Sequence, residues 1–198
     1  MELPKKKLII FAVIAVILLI VLGLVYYFLI KSKETPELSL EEKKELSLER
    51  MKQAEDLMEK TQYSDCEKLV QEAVDLDSDN IPAYILLGQS KYVQGKVKEA
   101  RDVYLKGLEK DSENFQMNFN LANTYRDLGE FEPAAKHYEK TIEINPEDVL
   151  VWSNHAFLFV VQEKWEKAQE ICEEGLKKFP DDPVLKSIYE TVKEKLKI

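Results

Sequence analysis

The sequence predicts an all-α protein: one N-terminal transmembrane helix, then an α-solenoid of about four helix-turn-helix repeats closed by a capping helix. Three observations carry that expectation. Residues 8–30 form an uncharged apolar run. Between residues 47 and 182 the chain repeats with a period of 34, without insertion or deletion. Glu, Lys, Leu and Ala dominate, and six Gly and seven Pro are too few for a low-complexity chain. That balance favours helix over strand.

The apolar run reads LIIFAVIAVILLIVLGLVYYFLI, 23 residues. As a helix it is roughly 34 Å long, at about 1.5 Å per residue, enough to span the hydrocarbon core with modest tilt. Tyr26 and Tyr27 fall near one end, where a membrane interface tolerates a phenol. A cleaved signal peptide would carry an apolar region of about 7–15 residues and end at small side chains. Here the run is longer, bulky Tyr-Tyr-Phe-Leu-Ile precedes Lys31, and no lipobox cysteine follows. The expectation is an uncleaved, single-pass anchor. Lys5, Lys6 and Lys7 crowd the short tail 1–7, while Lys31 and Lys33 follow the span. The positive-inside rule then mildly favours a cytoplasmic N-terminus and an extracytoplasmic C-terminal domain.

Residues 31–46 read as a linker and a lead-in helix. The first part is polar and holds Pro36, a turn signal. Ser39 and Glu42 have capping-box spacing, which predicts a helix from Leu40. The repeat blocks that follow are 47–80, 81–114, 115–148 and 149–182. Position 8 of each block is small: Ala54, Gly88, Ala122 and Ala156. So is position 20: Cys66, Ala100, Ala134 and Ala168. Small residues at both let two antiparallel helices, A and B, approach closely. Large residues fill the space around that contact, at position 4 (Tyr84, Trp152), position 17 (Tyr63, Val97, Phe131, Trp165), position 24 (Tyr104, Tyr138) and position 28 (Val74, Leu108, Ile142, Leu176). Gly95 and Gly129 at position 15 break the chain between the helices, because glycine tolerates positive φ. Pro146 and Pro180 at position 32 set the turn into the next block.

In residues 183–198, Asp182 can cap and Pro183 suits the first helical position. Leu185, Ile188, Tyr189, Val192 and Leu196 make one apolar stripe, with Lys and Glu opposite. This is the signature of a terminal capping helix that covers an apolar edge.

The pattern resembles the tetratricopeptide-repeat family, whose aromatic, L-G, Y, A, F/Y and P spacing is one of the more specific repeat signatures. IPAYILLGQSKYVQGKVKEARDVYLKGLEKDSEN and FQMNFNLANTYRDLGEFEPAAKHYEKTIEINPED match it best. The fourth block departs at His155 and Glu163, and the first has Arg50 and Gln53 where the motif is apolar. Terminal repeats are often degenerate. The resemblance covers residues 47–182, about two-thirds of the chain.

That resemblance implies a right-handed superhelix whose helices A line a concave groove, with positions 2, 5, 6, 9, 12 and 13 facing it. It points to Ile85, Gln89 and Tyr92 in the second block as partner-binding residues. In the third block it points to Phe119, Asn120, Asn123 and Arg126, and in the fourth to Asn154, Phe157 and Val160. Together they read as an apolar groove with a ladder of Asn and Gln, whose amides can bond a peptide backbone without reading its side chains. Members that clamp a C-terminal carboxylate place Lys or Arg at positions 2, 5 and 6. Here those positions are mostly apolar or amide, so that specialisation is not implied.

Other chemistries find little footing. The first 33 residues hold five Lys and one Glu, a net +4, leaving 23 basic and 36 acidic side chains beyond, a net −13. So acidic a domain is a poor match to nucleic-acid phosphates. Asp75, Asp77 and Asp79 resemble the opening of a calcium loop, but Asn80 and Leu86 stand where it needs Gly and Glu. Cys66 and Cys172 form no CxxC pair and no cluster with His137 and His155, and they fall far apart in the repeats, which predicts free, buried thiols. His155 is expected between helices, His137 partly exposed, and both Trp in the core. No Ser-His-Asp order, Gly-rich phosphate loop or HExxH occurs. The sequence therefore implies no enzyme, no cofactor and no metal, but a scaffold holding a protein or peptide partner beside a membrane entered through residues 8–30. A homo-oligomer is compatible with it. Envelope protein assembly, secretion or maturation suits an extracytoplasmic domain, and a cytosol-facing receptor or tether suits the reverse orientation.

Overall fold

The computed structural model describes residues 16–27 and 37–197. The tail 1–7, the rest of the 8–30 run, linker residues 31–36 and Ile198 lie outside them. The chain divides into two units, Met1–Glu42 and Lys43–Ile198. In the first, residues 16–27 are helical (α1) and expose apolar side chains such as Leu19 and Leu22. Among the described residues no helix is long and apolar enough to cross a membrane. The expected anchor overlaps α1 only in part, so it has no support from the described residues.

Helix α2 (Leu40–Glu59) opens on a closed capping box: Ser39 N donates to Glu42 Oε2 at 2.8 Å, and Glu42 N donates back to Ser39 Oγ at 3.3 Å. The pairs that follow are α3 (Tyr63–Leu76) after α2, then α4 (Ile81–Val93) with α5 (Val97–Leu108). Next come α6 (Phe115–Asp127) with α7 (Phe131–Ile144), α8 (Val149–Val160) with α9 (Trp165–Lys178), and α10 (Pro183–Leu196). Helices α4, α6 and α8 start at the first position of their blocks, and every helix B starts at position 17.

Asn or Asp fixes the start of α4, α6, α8 and α10. Position 34 of each block is Asn80, Asn114, Asp148 or Asp182, and each side-chain oxygen accepts a backbone N–H from the first turn of the next helix, at 2.8–3.2 Å. Such caps each contribute about 1 kcal/mol. The A–B turn is equally regular. Gly95 and Gly129 have φ of +77° and +74°, and Thr61 and Glu163 take the same left-handed conformation, at +58° and +56°.

The close contact between helices A and B falls on the small residues. Ala54, Cys66, Ala100, Ala122, Ala134, Ala156 and Ala168 are fully buried. In the second block an added Cβ on Gly88 would stand 2.2 Å from the Tyr104 ring, so only glycine leaves room for that tyrosine. A second set of small residues, at position 27, forms the contact between repeats: Ala73, Gly107, Thr141 and Gly175 are all buried. A Cβ on Gly107 would meet Met117 Sδ at 2.4 Å and Tyr84 Cβ at 2.9 Å.

Polar groups tie the first repeat to the second. Within the first block Ser47 Oγ donates to Ala73 O at 2.8 Å and accepts from Asn80 Nδ2 at 2.9 Å, and Asn80 in turn caps α4. Glu67 receives Lys91 at 2.7 Å, Lys96 at 2.6 Å and Gln94 at 2.8 Å. Burial pushes the Glu67 carboxyl up, but these donors outweigh it and hold it at about 2.

At the other end α10 closes the core as its stripe predicts. Leu185 and Val192 are fully buried against Trp152, Ala156 and Phe159, with Ile188, Tyr189 and Leu196 packed beside them. Both cysteines are free and buried, and burial pushes the Cys172 thiol to about 12. The Asp77–Asp79 segment is a turn in which Asp77 Oδ1 accepts from Asp79 N and Lys110 pairs with Asp79.

His155 is buried as expected, stacked between Tyr138 (5.7 Å between ring centres) and Phe159 (5.3 Å). Neither of its ring nitrogens has a hydrogen-bond partner among the described residues. Burial, with Lys167 adding to it, holds its pKa down at about 4. His137 is half-buried on α7, its Nδ1 2.9 Å from Asn118 Oδ1.

Candidate functional site

Helices α4, α6 and α8 lie side by side, each touching the next, and α8 touches α10. Their shared face holds an open pocket of about 380 Å³. Helix α4 contributes Gln89, Tyr92 and Val93 to it, and α6 contributes Phe119, Asn120, Asn123 and Arg126. Leu150 and Asn154 come from α8, and Tyr104 reaches in from α5 behind. A second pocket of about 240 Å³ lies between α2, α4 and α6, walled by Met51, Glu55, Pro82, Ile85, Leu86 and Gln116. Gln89 lines both, so the two adjoin along one row.

The walls of the larger pocket are apolar and its floor is polar. Arg126 is the hub. Its Nη1 donates to Asn154 Oδ1 at 3.0 Å, and to Asn123 Oδ1 and Tyr138 OH at 3.2 Å each. Its Nε donates to Asp127 Oδ1 at 3.0 Å, and Tyr92 OH donates to the other oxygen of Asp127. Tyr138 OH donates to Asn123 Oδ1 at 2.6 Å. The Phe157 ring lies 6.0 Å from the guanidinium carbon, within reach of a cation–π attraction. Burial, helped by Asp127, pushes the Tyr92 phenol up to about 12, so both phenols stay protonated donors at neutral pH.

Most sequence-expected groove residues thus meet in one place: Gln89, Tyr92, Phe119, Asn120, Asn123, Arg126 and Asn154 line the same pocket. Ile85 lines the neighbouring one. Phe157 and Val160 line neither. Phe157 is exposed beside Arg126, and Val160 is half-buried against the core under α10. Val93 and Leu150 are not among the groove residues expected from sequence, and Tyr104 is expected there as a core residue. Leu150 and Val93 are 59% and 49% exposed, an apolar exposure at positions 2 and 13 that could have flagged them. Among the described residues no group of three or more His, Cys, Asp or Glu stands together to hold a metal.

The decisive comparison is with repeat families. Residues 51–115 and residues 118–148 each match the tetratricopeptide-repeat family. These are tetratricopeptide repeats. Two curated proteins are similar to part of the chain. The human protein O-mannosyl-transferase TMTC3 is 31% identical over 107 residues, 54% of this chain and 12% of that protein. A STIP1 homolog of Dictyostelium discoideum is 38% identical over 60 residues, 27% of this chain and 11% of that protein. The chain therefore spans only about a tenth of these relatives. Solved structures share the tetratricopeptide solenoid. MamA superposes with a TM-score of 0.70 at 15% identity, covering 76% of this chain and 82% of MamA. YrrB, described as a tetratricopeptide-repeat protein with an unusual peptide-binding site, gives 0.64 at 18% identity, over 75% and 76%. Pseudomonas aeruginosa pilF gives 0.67 at 17%, over 78% and 71%.

Proposed function

We propose that this chain is a membrane-anchored scaffold whose tetratricopeptide repeats hold an extended segment of a partner protein on the face made by α4, α6 and α8. The observation that carries this reading is the 380 Å³ pocket on that face, with apolar walls and amide side chains from three successive helices. A concave site with a few convergent polar groups is where ligands settle. The peptide-binding site named for YrrB, which shares the fold, supports it. Anchoring rests on the uncharged run 8–30. With the Lys5–Lys7 tail kept in the cytoplasm, the repeats would work outside it, in assembly, secretion or maturation of envelope proteins.

Two measurements test this. A photo-crosslinking residue at Asn120 in the native membrane should capture a partner protein, whereas one at the exposed Lys136 on α7 should not. Capture at Lys136 alone would place the partner on the outer surface. Phe119→Ala should weaken that capture more than Asn123→Ala, because water can partly replace a lost amide contact while a buried aromatic anchor typically contributes about 2 kcal/mol or more. For topology, protease added to cells with only the outer barrier opened should digest the repeats. Full protection would mean a cytosol-facing receptor or tether.

A further inference from the structure

Around Arg126 the polar floor of the larger pocket presents N–H donors. Asn123 Oδ1 already accepts from Arg126 Nη1 and from Tyr138 OH. Those two donors fix which way the amide faces, and its Nδ2 end has no acceptor among the described residues. Asn154 is held likewise. Its Oδ1 accepts from Arg126, and one N–H of Nδ2 goes to Leu150 O at 2.7 Å, leaving the other. Arg126 spends Nη1 and Nε on its neighbours, and Nη2 has no acceptor among the described residues. The floor thus offers N–H groups from three side chains, while both lone pairs of Asn123 Oδ1 are taken and Asn154 Oδ1 keeps one.

Charge points the same way. Arg126 is the charged side chain in the pocket lining, and its side chain is only 18% exposed. Asp127, which pairs with Nε, is not part of that lining. A carboxylate complements such a floor best, because two oxygens can accept from a guanidinium edge and an amide together, and charge-assisted bonds are about twice as strong as neutral ones. The pocket continues past Gln89 into its neighbour, so a segment lying along the face runs through this site rather than ending in it.

We infer that the pocket receives an aspartate or glutamate side chain of the docked segment, with a large apolar neighbour against Phe119 and Leu150, and that Arg126 sets this specificity. The inference rests on the groove reading above. The flanks of the segment are neutral or basic. Beyond residue 33 the chain carries a net −13, which repels an acidic partner until screening, over about 8 Å at physiological salt, hides it. One acid in a neutral or basic context satisfies both fields.

The probe is a positional-scanning library of N-acetylated, C-amidated peptides, panned on the detergent-solubilised full chain. Wild type should enrich Asp or Glu at one position beside an aromatic or Leu, and Glu→Gln in a selected peptide should cost about tenfold in affinity. Arg126→Gln should make the Glu and Gln peptides bind alike. Asn123→Asp is the second variant. It keeps an oxygen for Arg126 and Tyr138 but turns another to the ligand, so it should reverse the preference towards Gln or Lys. Acid enrichment that survives both variants, or no enrichment in wild type, overturns the inference. So does a parallel library with free C-termini, if binding appears only there. Selected peptides that lose affinity in Phe119→Ala yet show no acid preference leave the groove reading standing. Peptides indifferent to Phe119→Ala overturn the groove reading itself.

Discussion

The two middle repeats and the two outer ones share a backbone but not the residues that make it easy to adopt. At position 15 the middle repeats carry Gly95 and Gly129, and the outer ones reach the same positive φ with Thr61 and Glu163. At position 7 the middle repeats bury Leu87 and Leu121, whereas the fourth buries His155 with both nitrogens unpartnered among the described residues, and the first has exposed Gln53. Neighbouring repeats therefore impose the geometry. Local residues decide how much strain and desolvation it carries. A β-branched residue in the left-handed region is an outlier, and such a conformation costs a non-glycine residue about 1–2 kcal/mol.

The largest test of this contrast is His155→Leu, which gives the fourth repeat the residue of its inner neighbours. Burial holds His155 at about 4 in the folded chain, against about 6.5 for a solvated imidazole. Below pH 6.5 the unfolded chain therefore binds the proton more readily, and stability falls as pH drops from 6.5 towards 4. The loss approaches about 3 kcal/mol at the acid end. The variant should be more stable by about 1 kcal/mol at neutral pH, having no unpaired buried nitrogen, and the gap should widen in acid. A gap between the two denaturation midpoints that stays constant from pH 7 to pH 4 would mean His155 is solvated in the folded state.

Next is Ala134→Leu, at the fully buried A–B contact of the third repeat. Overpacking should cost about 1–3 kcal/mol, read as a thermal midpoint lowered by roughly 2–4 °C per kcal/mol. Cys66→Leu, the same change in the outer first repeat, should cost less, since sulfur already occupies part of the space. Equal losses would erase the contrast between inner and outer repeats. Smallest are the turns. Thr61→Gly and Glu163→Gly should each stabilise by up to about 1 kcal/mol, and Gly95→Ala and Gly129→Ala should destabilise by a similar amount. A neutral Thr61→Gly would show that the unfolded chain's extra freedom offsets the relieved strain.

Sequence made the period, the A–B contact and the closing helix legible, because each depends on residues close together in one repeat. What it missed lies between repeats. Position 27 is small in every block, yet only the packing of Gly107 against Met117 and Tyr84 shows why. The same holds for the floor of the pocket. Arg126 binds Asn154 in the next repeat, a convergence set by the angle between repeats. Phe157 and Val160 were placed in the groove by position alone, but Val160 at the end of α8 is drawn into the core under α10. Position 34 was readable, since Asn or Asp recurs there, and only Asp182 was singled out as a cap.

Helix α10 bears on how the chain is made. Packing runs from each helix to its neighbours, so early repeats can settle while later ones are still being synthesised. The fourth repeat is different, because Leu185 and Val192, which cover Trp152 and Phe159, are synthesised after it. Until then a nascent chain ending near residue 182 shows bare aromatic surface. That interval is the one in which it is most open to capture by a chaperone or to aggregation.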